Sequence, residues 1–91
     1  MKVTKITWDS GFKRAYKRKV KGNEQFKKQF WNAIALFQED PFHSSLKTHK
    51  LTGKLKGLWA FAVSYDCRVV FSFLSQNEVL LIDIGAHDEV Y

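Results

Sequence analysis

The chain has one cysteine, one proline and no long apolar run among its 91 residues. A disulfide needs two thiols, so Cys67 excludes an intramolecular bridge and favours a reducing compartment. The first ten residues lack the apolar stretch of a secretory signal, and no segment approaches the ~20 apolar residues of a membrane span. We therefore expect a soluble, cytoplasmic protein that forms a single domain over residues 1–91.

Acidic residues are scarce in the first third of the chain. Residues 1–30 contain ten Lys and Arg but only two acidic residues, and residues 31–56 contain four Lys and two acidic residues. Residues 57–91 reverse this balance, with one Arg and five acidic residues. Concentrated positive charge favours a nucleic acid or an acidic protein as partner. The alternative for residues 13–21 is an ordinary solvated helix face.

Apolar residues recur at helical spacing in two stretches of the N-terminal half. In the first, the apolar face repeats every four residues from Phe12 to Val20, and Gly22 ends the helix. The second helix begins after Asn23 and runs to about Gln38. Its apolar stripe consists of Phe26, Phe30, Ala33, Ile34 and Phe37. The two helices thus form a hairpin that needs a sheet to cover its aromatic residues.

Alternating apolar residues predict one strand before the helices, at about 3–8, and three after them, at about 58–64, 68–74 and 79–86. Residues 41–57, rich in Lys, Ser, Thr and Gly, are predicted to form a loop. The expected fold is α+β, in the order β-α-α-β-β-β. The helical hairpin packs on one face of a mainly antiparallel sheet.

The last three strands must align their bulky faces, because a one-residue slip turns a strand inside out. The first hairpin then needs a three-residue loop over residues 65–67, and its predicted pairs are Val63 with Val69 and Phe61 with Phe71. The second suits a two-residue turn at residues 76–77, and its predicted pairs are Phe73 with Leu80 and Phe71 with Ile82. On the last strand, the residues expected to face the helices are Leu80, Ile82 and Ile84.

The same pairing brings candidate polar residues together on the sheet face without helices. It sets Arg68 opposite Gly85 and, by extrapolation, Asp66 opposite His87, with opposed Cβ atoms about 5 Å apart. The rest of this face is small or polar and suits a ligand groove: Ala60, Ala62, Ser64, Ser72 and Gly85. The alternatives are that Asp66 is an ordinary turn residue and that Arg68 only forms an ion pair with Asp66 or Asp83.

Imidazole, guanidinium and carboxylate groups can cleave RNA without a metal ion or cofactor. The 2′-hydroxyl attacks the adjacent phosphate, imidazole transfers the protons, and guanidinium stabilises the phosphoryl charge through parallel hydrogen bonds. A carboxylate fixes the tautomer of a neighbouring imidazole. The candidates are His49, Asp66, Arg68 and His87. Contacts to phosphate groups along the RNA are predicted for Lys47, Lys50, Lys54 and Lys56.

Other roles compete for the histidines and the aromatic residues. His43, beside Pro41, is interpreted as structural, and His49 has the alternative of a hydrogen bond within its own loop. A zinc site formed by the three histidines is disfavoured, because they lack close ligand spacing. The Trp and Phe residues are interpreted as core rather than as a base-stacking platform, since they lie on the inward stripes.

The segment from Pro41 to Tyr91 resembles the RelE/ParE superfamily of bacterial toxins, and within it the YafQ-like mRNA interferases of type II toxin–antitoxin systems. The most specific similarities are the H-K-L-x-G loop, the D-x-R-V-V-F hairpin and the I-G-x-H segment near the C-terminus. The basic helical hairpin extends the resemblance over nearly the whole chain. It implies the RelE-like fold, with a helical hairpin on one face of an antiparallel sheet.

The resemblance also implies cleavage of mRNA in the ribosomal A site, inhibition of translation, and neutralisation by a cognate antitoxin. Such pairs commonly bind operator DNA and repress their own operon. By position, the catalytic candidates are His49, Asp66, Arg68, His87 and Tyr91. His87 matches the family's C-terminal histidine, usually assigned as general acid. A second-strand histidine of YafQ is missing from residues 61–63, so the general base is open, and our hypothesis is His49, with Asp66 supporting the proton relay.

Two readings compete with an endoribonuclease. A ParE-like toxin of the same fold would inhibit DNA gyrase by binding alone, and it would not need proton-transfer groups. An inactive regulatory protein would bind only antitoxin and DNA. For the antitoxin itself, the basic helix face predicts an acidic, amphipathic segment that folds on binding.

Overall fold

The computed structural model describes residues 2–86 and Val90. Two helices pack on one face of a five-stranded sheet with the order β1-β5-β4-β3-β2, in which β1 is parallel to β5 and the other neighbours are antiparallel. The elements are β1 (Lys5–Trp8), α1 (Ser10–Val20), α2 (Glu24–Glu39), β2 (His49–Lys50), β3 (Trp59–Ser64), β4 (Cys67–Phe73) and β5 (Glu78–Gly85). The predicted α+β architecture is confirmed. No helix in the described part of the chain is long and apolar enough to cross a membrane.

Both helices begin and end at the residues that the sequence indicates. The Asp9 carboxylate accepts a hydrogen bond from the Gly11 N–H at 2.9 Å and caps α1. The Asn23 side chain accepts from the Phe26 N–H at 3.0 Å and caps α2. Between them Gly22 has a φ of 68°, in the left-handed region that closes helix C-termini. The caps therefore fix the helical hairpin.

The main core lies between the helices and the sheet and consists largely of aromatic rings. The side chains with no exposed surface include Phe12, Phe30, Phe37, Phe61 and Phe71. The Phe37 ring stacks on Phe61 with centroids 4.6 Å apart and meets Phe71 edge-on at 5.0 Å. The aromatic stripes are thus core, as predicted, and within residues 2–86 the exposed aromatic residues are Trp31, Phe42 and Tyr65.

The predicted loop over residues 41–57 contains ordered elements, so that prediction was wrong. His49 and Lys50 form β2, which pairs with the edge of β3, and the chain turns in 3₁₀ helices at Ser44–Leu46 and Gly53–Leu55. The Leu51 N–H continues the pairing by donating to Leu58 O at 2.9 Å. A two-residue strand has no periodicity to detect, which explains why four strands were expected and the described part of the chain contains five.

The first hairpin also differs from the prediction. Phe61 pairs with Val69 rather than Phe71, and Ser64 pairs with Cys67 across a two-residue turn. The register shifts between Ala62 and Ser64. This irregularity in β3 takes up one extra residue, so a short turn is compatible with aligned bulky faces. The expected three-residue loop and both of its pairs were therefore wrong.

The second hairpin follows the predicted register only at its far end. Arg68 pairs with Gly85, as predicted, but Phe71 pairs with Leu81 instead of Ile82, and Phe73 pairs with Val79 instead of Leu80. The turn spans residues 75–77 rather than two residues, and the register shifts between Val70 and Phe71. In consequence, the β5 residues buried in the main core are Val79, Leu81 and Ile84. The expected inward orientation of Leu80 and Ile82 was wrong.

The sheet face opposite the helices, here called the open face, is partly covered. Leu51, Ala60 and Val70 form a small buried cluster there, against which Leu55, Leu58, Ile82 and Val90 pack. The open face is therefore less polar than predicted. Its accessible part lies beside Ala62 and Ser72, which are half-buried.

Candidate active site

His49 and Arg68 lie on neighbouring rungs of the open face. His49 pairs with Ala60, and Arg68 pairs with Ala62 on one side and Gly85 on the other. Paired residues point to the same face, and Ala60 and Ala62 are two residues apart on one strand. Two strand spacings and one two-residue step separate the Cα atoms of His49 and Arg68 by roughly 12 Å. Of the two small side chains between them, Ala60 is buried and Ala62 is half-buried.

A hydrogen bond within its own segment orients the His49 ring. The Nδ1 atom lies 2.9 Å from Lys47 O, and a carbonyl oxygen can only accept, so Nδ1 carries the proton. In the neutral ring the lone pair is then on Nε2. Lys47 has a φ of 52°, unusual for a residue with a side chain. The alternative of a bond within the loop is confirmed, and this bond selects the tautomer in which Nε2 is the basic nitrogen.

Arg68 braces the β3–β4 turn. Its Nη1 atom donates to Ser64 O at 2.8 Å, Tyr65 O at 3.1 Å and Cys67 O at 3.3 Å. Within residues 2–86 no carboxylate forms an ion pair with Arg68, so the alternative of pairing with Asp66 or Asp83 is not observed. Arg68, which is half-buried, therefore holds the turn through one nitrogen and places its positive charge beside that turn.

Asp66 is exposed in the same turn and accepts a hydrogen bond from the Ser64 hydroxyl at 3.0 Å. The structure does not join it to His49, because Ala60 and Ser64 are separated by four residues, about 13 Å along the strand. Asp66 serves as a turn residue here, at the end of the sheet where Arg68 begins. His87 and Tyr91, and with them the predicted pairing of Asp66 with His87, lie outside the described residues.

The four lysines predicted to bind RNA are all exposed. Lys50 and Lys54 line a hollow of about 340 Å³ together with His49. Lys50 and Lys56 also line a neighbouring cleft of about 550 Å³ that contains Trp59. The Lys50 Nζ atom lies 5.5 Å from the centroid of the Trp59 ring, a cation–π distance.

His43 has the structural role that the sequence indicates. Its Nδ1 accepts from the Ser45 N–H at 3.2 Å and lies 2.9 Å from the Ser45 hydroxyl, which caps the first 3₁₀ turn. Among the residues described by the structure, no group of three His, Cys, Asp or Glu side chains is arranged to hold a metal ion.

A further cleft, of about 500 Å³, opens between the start of α2 and the β3–β4 turn. Gln25 and Gln29 line its helical side, and Tyr65 and Asp66 line the turn. Sequence reasoning missed these glutamines, because only the packing of the two hairpins brings them beside the turn. Tyr65 gave the one available signal, as an aromatic residue outside the inward stripes.

Comparison with known proteins adds to this geometry. Residues 4–91 match the profile of a family described as bacterial toxins of type II toxin–antitoxin systems, YafQ. No curated protein is significantly similar to the chain in sequence. Among solved structures, YafQ from E. coli strain BL21(DE3) is 16% identical, with 94% of this chain and 96% of that chain covered and a TM-score of 0.78.

Two other solved structures share the fold. The E. coli DinJ–YafQ toxin–antitoxin complex contains a chain that is 15% identical, with 100% of this chain and 99% of that chain covered and a TM-score of 0.76. A metal-bound toxin from Helicobacter pylori is 26% identical, with both chains covered completely and a TM-score of 0.74.

Proposed function

The chain belongs to the YafQ family of bacterial type II toxins, and we propose that it is a ribosome-dependent endoribonuclease that cleaves mRNA and thereby inhibits translation. The observation that most supports this proposal is the alignment of His49 and Arg68 across small residues of the open face. A proton acceptor and a phosphate-binding cation are the groups that cleavage by a 2′-hydroxyl requires.

In the proposed reaction, Nε2 of His49 removes the proton of the 2′-hydroxyl, whose oxygen attacks the adjacent phosphorus. The bond from phosphorus to the 5′-oxygen breaks, and His87 donates a proton to that oxygen. Arg68 stabilises the charge on the phosphoryl oxygens. The products are a 2′,3′-cyclic phosphate and a 5′-hydroxyl, and neither a metal ion nor a cofactor takes part. Asp66 supports the proton relay, and Tyr91 completes the proposed catalytic set.

The proposed partners follow from the charge and from the relatives. The DinJ–YafQ complex is a toxin–antitoxin complex, which supports a cognate antitoxin for this chain. Ribosomes and mRNA are the proposed targets in the cytoplasm, with phosphate contacts from Lys47, Lys50, Lys54 and Lys56. Operator DNA is bound only through the toxin–antitoxin complex, and no membrane takes part.

A reconstituted translation reaction tests this proposal. Purified protein is added to ribosomes that are translating a defined mRNA, and the 5′ ends and end groups of the RNA are mapped. We expect cleavage by the wild type and a loss of about 100-fold or more in His49→Ala and His87→Ala. The control is His43→Asn, which retains an acceptor for the Ser45 N–H and should cleave normally.

Two results would contradict the proposal. Intact mRNA together with inhibited supercoiling by DNA gyrase would indicate a toxin of the gyrase-binding class. Intact mRNA, active gyrase and normal cell growth would indicate a regulatory protein. Full cleavage by His49→Ala would refute only its role as general base.

A further inference from the structure

The cleft between α2 and the β3–β4 turn has the size of a small-molecule site. Its volume of about 500 Å³ lies within the range of ligand pockets in proteins. Phe26, at 8% exposure, is an apolar residue of its lining, and Gln25 and Gln29 flank it on the helix. The opposite wall is the turn itself, so the cleft adjoins Asp66 of the proposed catalytic set.

The polar groups of the cleft match the edge of a nucleobase. Gln25 and Gln29 are four residues apart on one helix face, and each carboxamide offers both donors and an acceptor. Asn23 also lines the cleft; its oxygen caps α2, and its amino group takes no part in that bond. The charged groups in the lining are Lys19 and Asp66, which have opposite signs. This balance favours a neutral, planar, hydrogen-bonding group over a phosphate or an acidic peptide.

Tyr65 supplies an aromatic surface at the rim of the cleft. Its side chain is 96% exposed, more than any other large apolar side chain in the described ranges. Its backbone is nevertheless held, because Arg68 donates to Tyr65 O at 3.1 Å and the Ser64 hydroxyl bonds Asp66 next to it. A ring on a fixed turn loses little conformational entropy when a base stacks on it.

From these observations we infer that the cleft is a subsite for one nucleobase of single-stranded RNA, stacked on Tyr65 and hydrogen-bonded by Gln25 and Gln29. The base belongs to a nucleotide that flanks the cleaved phosphate, because Asp66 contributes to both sites. This inference rests on the proposed function and extends it to recognition of the substrate.

The test is equilibrium binding of a short fluorescent RNA with 2′-O-methyl groups at every position, which the protein cannot cleave. We expect Tyr65→Ala and Tyr65→Leu to bind about five- to hundredfold more weakly than the wild type. Tyr65→Phe, which keeps the ring, should bind as the wild type does. Since Tyr65 is almost fully exposed, all three variants should unfold at the wild-type temperature, and a thermal melt checks this.

A second series replaces one nucleotide at a time by an abasic site. When the abasic site replaces the nucleotide that stacks on Tyr65, the wild type and Tyr65→Ala should bind the RNA with equal affinity. When it replaces another nucleotide, Tyr65→Ala should still bind more weakly than the wild type. Gln29→Leu should weaken binding most for RNA that carries a base at that same position. Tyr65→Ala binding that equals wild-type binding for every RNA would overturn the inference.

Cleavage of ribosome-bound mRNA is measured in parallel, so the two proposals fail separately. Cleavage by the wild type together with unchanged RNA binding by Tyr65→Ala refutes the subsite alone. An absence of cleavage and of RNA binding by the wild type refutes the proposed function. Weaker antitoxin binding with unchanged RNA binding in Tyr65→Ala would assign the cleft to the antitoxin and also overturn the inference.

Discussion

Arg68 combines a structural contact with a proposed chemical role, and substitution can separate them. Lysine keeps the charge and can still donate to the turn carbonyls, but it cannot form two parallel hydrogen bonds to a phosphate. We expect Arg68→Lys to cleave mRNA about tenfold or more slowly, with stability close to wild type. Arg68→Ala should lose about 100-fold in activity and, with the turn bonds gone, about 1–2 kcal/mol in free energy of unfolding.

Single-turnover cleavage and urea denaturation measure the two effects. A wild-type rate in Arg68→Lys would show that the residue only braces the turn.

Individual residues were predictable where a local pattern determines their neighbours. The predicted pairing of Arg68 with Gly85 is correct because the register shift after Val70 offsets the longer turn. The role of His43 followed from its position near a proline. Tyr65 was expected in the hairpin loop but was given no function, although it is the most exposed large apolar side chain described. Its surroundings depend on how α2 packs beside the turn, and no periodic pattern in the sequence predicts this packing.

The helices and strands differ in how closely their sequences specify them. Each helix has a cap, an apolar stripe and a stop signal, so its bounds were predicted to within about two residues. The strands are specified only by the alternation of apolar and polar residues. An irregularity in β3 and another in β5 each shift this alternation by one residue. The position of a bulge depends on how the paired strands pack together, so it cannot be predicted from the sequence of one strand.

The turn between α1 and α2 provides a direct test of this local specification. Gly22 has a φ of 68°, and apart from Gly22 and its two chain neighbours no heavy atom of the described residues lies within 4 Å of the position that a Cβ would occupy, so backbone strain alone opposes a side chain. We expect Gly22→Ala to lower the free energy of unfolding by about 1 kcal/mol. The matched variant Gly22→Asn tolerates the left-handed conformation and should lose less than half as much. Urea denaturation measures both, and equal stability of Gly22→Ala and wild type would show that the turn relaxes.

The positive charge of the protein is concentrated on α1 and on the segment that contains His49. The exposed cations of α1 are Lys13, Arg14, Lys17 and Arg18, and the lysines around His49 add to them. Neither of the two ion pairs found within the described residues involves α1. Lys13, Arg14, Lys17 and Arg18 form no ion pair with a carboxylate of residues 2–86, so their positive charge is available to an acidic segment of the proposed antitoxin or to ribosomal RNA.

The proposed antitoxin complex should therefore depend on ionic strength. Raising salt from 50 to 500 mM shortens the screening length and should increase the Kd by about tenfold or more, mainly through slower association. The variant Lys13→Gln/Lys17→Gln removes two cations without touching the core, and it should show weaker binding at low salt and a smaller salt effect. Lys2→Gln serves as the control, because Lys2 already pairs with Glu39 at 3.3 Å away from α1. Stopped-flow association and calorimetry at each salt concentration measure these changes. A Kd that does not vary with salt would mean that apolar contacts determine the affinity, and the basic face of α1 would then be assigned to RNA alone.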